Sequence, residues 1–467
     1  MKMCEIWRTI LKEEKKPTSK LILEREHKPR QSSAGFSKRL NDEGGNRARY
    51  GLGEYHSYDH IISWMEDIQR FYPTRAKVVN IGTTEEGRPI KGIKIGSGVH
   101  RTDKRVFWID GGIHAREWAA VHTVVYIIDR LIADYDTDPL VRRAVDQLNF
   151  YIFPVLNPDG YEYSRSGVSP MDFLSSLTVF VFLQIRLWRK NRSSMICKKD
   201  QWYRERCCGG VDLNRNFDWF WGEIGSSSDR CSEIYQGKSP FSEAEARAVK
   251  DMMFSPELRG KVDAFLTLHT YSQMWIHPFS HQRKTVPEDI TDIEQVGRKA
   301  LGALESVYGT KYRFGTGADI LYPSSGGSDD WAKGKGGAKY VYLMELRPSE
   351  EVWDGFILDS RQLIPTGRET WAGIKVVIEA VLKLKRGITA NGKTPLIFVE
   401  KGIKIDSQKY LEDSKTCATA HASIDYLEEA LKKAWEETVE DVLHAAVDAF
   451  PGRLRACIRA KGGHVET

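Results

Sequence analysis

The residues best suited to chemistry in this 467-residue chain are two histidines and a glutamate. His114 and Glu117 stand three positions apart, a spacing that brings both side chains to one ion from a short turn after a strand. His269 can add a third ligand from another strand end. Catalytic zinc takes three such nitrogen and oxygen donors and keeps a fourth position for water. With twelve histidines and many glutamates in the chain, chance pairs of this kind are also expected, and by spacing alone a hydrogen-bonded core or surface pair is the commoner outcome. Other candidates read the same way when taken singly. Glu345 at a strand end suits a carboxylate salt-bridged to Arg347, and Arg189 suits solvated charge in the basic run 186–192. Arg116, Asn214, Arg215, Tyr271 and Tyr322 suit surface or packing roles.

An alternation of helix and strand must position these groups. Residues 58–71 (YDHIISWMEDIQRF) place apolar side chains at helical spacing, and residues 106–110 (VFWID) read as a buried strand. A helix-like run at 118–135, a strand at 150–155 and a turn signal at 157–160 (NPDG) accompany them. The pattern continues with helices near 242–254, 293–308 and 362–384 and strands at 262–269 and 340–345. Such alternation predicts a single α/β domain with a central mixed, largely parallel sheet flanked by helices. Ligands of such sheets gather beyond the C-terminal ends of strands, where His114, His269 and Glu345 all fall.

Composition bounds the rest. Hydrophobic residues at 41% and charged residues at 28% are ordinary globular usage. The net charge of +5, from 69 basic and 64 acidic residues, is too small to argue for nucleic acid as a partner. The longest apolar run, residues 177–183, falls far short of the roughly 20 residues that span a bilayer. No apolar stretch with a small-residue cleavage site marks a secretory signal in the first 50 residues. Of seven cysteines, Cys197, Cys207, Cys208 and Cys231 cluster. The cluster suggests a disulfide and an oxidising compartment, while free buried thiols fit the composition equally.

Seven ordered motifs add to this reading: residues 111–118 (GGIHAREW), 157–161 (NPDGY), 186–190 (RLWRK), 211–216 (VDLNRN), 268–273 (LHTYSQ), 322–331 (YPSSGGSDDW) and 345–347 (ELR). Through them the chain resembles the metallocarboxypeptidases of the carboxypeptidase A and B type over about residues 55–385. The resemblance implies one Zn2+ ion held by His114, Glu117 and His269, Glu345 as general base and Arg189 facing the scissile carbonyl. It implies that Asn214, Arg215 and Tyr322 bind the terminal carboxylate, and that Arg116 and Tyr271 contact substrate further from its end. Asp329 matches the residue at the base of the pocket for the terminal side chain, where B types carry Asp. Ser280 and Gly317 also match the B-type pattern. The implied preference is for C-terminal Lys or Arg; the competing reading is that Ser328 and Asp329 cap a helix starting near Trp331. The resemblance further implies a Cys208–Cys231 disulfide, a secreted monomer and peptide or protein C-termini as partners. The alternative function is a catalytically impaired relative that binds peptides or inhibitors.

The chain also departs from that family. Residues 1–54 read as a leader, a truncated propeptide in which Arg47 and Arg49 offer a trypsin-like activation point. Residues 167–184 are an insertion whose Phe, Leu, Ser and Val bias suits translated noncoding sequence. Residues 386–467 form an extension that resembles a mariner-type transposase remnant, as a gene fusion would leave.

Overall fold

Ser57 starts the first helix. Its hydroxyl accepts from the His60 amide at 3.3 Å, and α1 (Tyr58–Phe71) then turns Ile61, Trp64, Met65 and Ile68 to the core at i, i+3, i+4 and i+7. The computed structural model describes residues 46–166, 185–199, 203, 205–352 and 355–384. All of them belong to one compact unit, residues 30–385. The insertion 167–184, the extension 386–467 and leader residues 1–45 lie outside the described residues.

After α1 come β1 (Ala76–Thr83), β2 (Pro89–Ile95), β3 (Arg105–Gly111), α2 (Trp118–Ala133), α3 (Pro139–Gln147), β4 (Leu148–Phe153) and α4 (Pro158–Arg165). A ribbon of β5 (Ile196–Lys199) and β6 (Glu205–Cys208) precedes α5 (Ala244–Met253), β7 (Val262–Ser272), β8 (Met274–His277), α6 (Ile290–Tyr308) and β9 (Arg313–Thr316). The short α7 (Gly317–Ile320), α8 (Ser328–Gly334), β10 (Tyr340–Ser349) and α9 (Leu363–Lys383) complete the set. Eight strands form one mixed sheet in the order β1-β2-β4-β3-β7-β10-β8-β9, and its inner strands β4, β3, β7 and β10 run parallel. The expected α/β architecture is present.

The inner strands are apolar on both faces because both are covered. In β3, Phe107 and Ile109 join a cluster with Val124 of α2 and Trp371 of α9, while Val106 and Trp108 join the opposite cluster with Phe265 and Trp331. That two-sided burial is why VFWID is a continuous apolar run. Truncating one such side chain to alanine costs about 2–5 kcal/mol.

Three local readings change. Asn157 opens a helix as well as a turn: its side chain accepts from the Gly160 amide at 2.9 Å, and Pro158 occupies the first turn of α4, where its missing N–H costs nothing. Residues 46–54, counted with the leader on sequence, pack on the domain. Ala48 and Tyr50 are buried there, and the Trp64 indole donates to the Ala48 carbonyl at 3.2 Å. Cys197 pairs with Cys207 across the β5/β6 ribbon, a bond that sequence left unassigned, while Cys208 pairs with Cys231. Closing the 23-residue separation of the second bond should hold about 3 kcal/mol of stability on the chain-entropy account. Denaturant unfolding of a Cys208→Ser, Cys231→Ser double variant should show a loss of that size; an unchanged midpoint would contradict it.

Candidate active site

β3 ends at Gly111, and the chain turns back at once. Gly112 has φ +60°, and a Cβ there would lie 2.8 Å from Val121 Cγ2 and 3.1 Å from the Pro154 carbonyl, so glycine alone makes this turn. The turn delivers His114 and Glu117, both buried. β7 delivers His269, which lies in register with Glu345 of the adjoining parallel strand β10. The donor atoms of His114, Glu117 and His269 all lie within 4.8 Å of one another. His114 Nδ1 is 2.7 Å from Glu117 Oε1 and 3.2 Å from His269 Nδ1, which in turn is 3.1 Å from Glu117 Oε2. Two imidazole nitrogens and a carboxylate oxygen, turned inward and buried, fit a zinc ion.

The outer faces of both rings are held. His114 Nε2 meets Asp212 Oδ1 at 3.1 Å. His269 Nε2 meets the Thr267 hydroxyl at 3.3 Å, which donates to Asp110 Oδ1 at 2.7 Å. Partners of this kind fix the tautomer that offers Nδ1 to an ion. Burial opposes charge on every member of the cluster. Even so, the adjacent Glu117 carboxylate raises His269 to about 9, and the two histidines hold Glu117 below the usual carboxylate range. His114 is pushed down by burial and by Arg189. An ion bound here displaces the His269 proton, so its affinity falls as pH drops.

Beside the cluster lies a cavity lined by His114, His269, Arg189, Asn214, Arg215, Tyr322, Ser280, Gly317, Asp329 and Glu345, among others. Arg189 Nε donates to Asp212 Oδ2 at 2.9 Å, so one buried carboxylate orients both a histidine and this arginine. Arg215 is anchored by donating to the Gly225 and Asn214 carbonyls, each at 2.8 Å, and its Nη2 reaches the half-exposed Tyr322 hydroxyl at 3.4 Å. Glu345 Oε2 has no partner, and burial pushes its carboxyl up to about 8. Arg347 pairs with Glu369, not with Glu345. Arg116 and Tyr271 are not among the residues lining this cavity. They sit together near Phe356: the Arg116 guanidinium lies 4.1 Å from its ring centroid, and the Tyr271 ring meets it edge-on at 4.9 Å.

Asp329 and Asp330 differ sharply in their partners. Asp330 accepts the Ser280 amide at 2.9 and 2.8 Å and the His281 amide at 3.2 Å. Asp329 Oδ2 is buried without a partner, and burial together with the Asp330 charge pushes its carboxyl up to about 7. Both belong to α8, which starts at Ser328 and has Gly327 at its cap position, with no side-chain cap bond. The capping role that sequence allowed for Ser328 and Asp329 is therefore absent. A Cβ on Gly317 would lie 2.3 Å from Ser280 Oγ, so the bare glycine keeps that wall open.

Sequence reasoning missed Asp212, although it stands inside a quoted motif beside Asn214. Its partner His114 lies 98 positions away, and nothing in either residue announces the contact. It also missed Thr267 and Asp110 behind His269.

Residues 61–373 match the family described as zinc carboxypeptidase. Carboxypeptidase B of Astacus astacus is 40% identical over 327 residues, covering 70% of this chain and 97% of the relative. Carboxypeptidase A2 of Mus musculus is 35% identical over 342 residues, covering 73% and 74%. Bovine thrombin-activatable fibrinolysis inhibitor, solved in complex with tick carboxypeptidase inhibitor, is 32% identical with a TM-score of 0.60 and covers 72% of this chain and 99% of its own. With a matching sheet, a buried His-Glu-His set able to hold zinc and relatives of this identity, the chain belongs to the zinc carboxypeptidase family and is a metallocarboxypeptidase, a peptide hydrolase.

Proposed function

We propose that this enzyme removes single C-terminal residues from peptides with a preference for Lys and Arg. The observation that carries the preference is the buried Asp329 carboxyl lining the substrate cavity, whose Oδ2 has no partner. A lone buried carboxylate is costly, and a Lys or Arg side chain relieves that cost. A B-type relative, carboxypeptidase B of Astacus astacus at 40% identity, supports the same choice.

In this reading His114, Glu117 and His269 hold the zinc ion. Zinc, when bound, supplies Lewis acidity and lowers the pKa of water. Arg215 with Asn214 and Tyr322 grips the terminal carboxylate, for which a guanidinium fork is well shaped. Arg189, oriented by Asp212, faces the scissile carbonyl and stabilises negative charge as it develops there. Glu345 takes a proton from the attacking water and delivers it to the departing amine. Arg116 and Tyr271 contact substrate further from its end. Every residue in this account comes from one chain, so a monomer suffices. Two disulfides favour a secreted protein. No helix among the described residues is long and apolar enough to cross a membrane.

Hydrolysis of matched peptides ending in Arg and Phe tests the proposal. The Arg peptide should lead by at least about 100-fold in kcat/KM, the scale of a desolvated charge pair. A chelator should abolish turnover, and added zinc should restore it. Faster cleavage of Phe would defeat the preference; chelator-insensitive cleavage would defeat the mechanism. Binding without turnover would leave the impaired-relative reading standing.

Arg215→Ala isolates carboxylate recognition. It should lower kcat/KM by about 30–150-fold, from the loss of charge-assisted hydrogen bonds, and equally for Arg and Phe peptides. A loss confined to one peptide would place Arg215 in side-chain selection instead.

A further inference from the structure

A second polar cavity, of about 180 Å3, shares no lining residue with the substrate cavity. That space is more than ten times the roughly 10–15 Å3 that one water needs. Its floor holds two carboxylates at the start of α5. Asn191 Nδ2 donates to Glu243 Oε2 at 2.8 Å and to Glu245 Oε2 at 3.1 Å. Ser242 Oγ donates to Glu243 Oε1 at 2.7 Å, which completes that residue. Glu245 is not completed: it is 2% exposed, lines the cavity and leaves Oε1 without a partner. Burial pushes its carboxyl up to about 7, and a cation placed beside it would favour its charged form.

The cavity carries basic groups as well. Arg230, Lys238 and Arg247 line it, and none of the three makes an ion pair among the described residues. With Glu85, Glu243 and Glu245 they set three basic against three acidic groups. A cavity lined by both acidic and basic side chains complements a molecule carrying both charges, more than it does a simple cation or anion.

We propose that this cavity binds a small zwitterion of the free amino-acid class, with its ammonium group on Glu245 and its carboxylate on the basic side chains Arg230, Lys238 and Arg247. The proposal goes beyond the substrate preference and stands independently of it. Free amino acids are what a carboxypeptidase releases, so the ligand class is the enzyme's own product.

Calorimetric titration of the zinc-loaded full chain with glycine, methylamine and acetate, above the Glu245 titration range, tests it. Glycine should bind at least about tenfold more tightly than either single-charge probe. Glu245→Gln should weaken glycine at this cavity by about tenfold or more, while Arg215→Ala, which removes glycine held by its carboxylate in the substrate cavity, should leave binding at this second cavity in place. Where Glu245→Gln fails to fold, Lys238→Ala on an exposed side chain carries the test, with a weakening of about threefold to fivefold. Absence of glycine binding, equal binding of methylamine, survival of binding in the folded Glu245 variant, or its loss in Arg215→Ala would each overturn the proposal.

Discussion

Glu345→Gln should reduce kcat for a C-terminal Arg peptide by about 10²–10⁴-fold, the range lost when a positioned general base is removed. The amide keeps the volume of the carboxyl and cannot take the proton. Oε2 of Glu345 has no partner, so no hydrogen-bond network depends on its charge. Folding should therefore survive, and KM should move little because carboxylate and side-chain recognition lie elsewhere in the cavity. Metal analysis should still return zinc, since the three donors are unchanged. Retention of full kcat would show that another group moves the proton; loss of zinc would show that Glu345 supports the metal.

Asp329→Ala should produce the second large effect. Turnover of the Arg peptide should fall by about 10²–10³-fold, while the Phe peptide should hold or improve, so that the preference collapses. The same substitution should change stability in a pH-dependent way. Burial and the neighbouring Asp330 charge raise the Asp329 carboxyl to about 7, above the ordinary aspartate value of 3.8. Between those values the native protein holds a proton that the unfolded chain gives up. The contribution of Asp329 to stability is thus fully present below the lower value and is lost as pH rises through the upper one. Thermal unfolding should accordingly show Asp329→Ala gaining on the parent enzyme as pH rises from 4 to 8. A pH-independent difference would mean that Asp329 is not the titrating carboxyl.

The three zinc donors were legible because they sit inside local text: GGIHAREW fixes a turn after a strand, and LHTYSQ ends another. Helix α1 was legible to its last residue because its cap and its apolar face agree. The short strands β8 and β9 were not, since four residues carry too little periodicity to stand out. The Asn157 turn signal was ambiguous for a physical reason: an Asn before Pro starts a turn and a helix with the same hydrogen bond. Asp212 was invisible because orientation is a tertiary property. Its carboxylate meets His114 and Arg189 only once β3 and the segment after residue 185 are assembled. The Cys197–Cys207 pair was hidden likewise, since it depends on a ribbon that the sequence did not announce.

The division of labour between two neighbouring aspartates bears on how such an enzyme can evolve. Asp330 carries the scaffold by holding the Ser280 and His281 amides, while Oδ2 of Asp329 has no partner. If residue 329 sets the proposed preference, a single exchange there would alter it while leaving the Ser280 and His281 amides held by Asp330.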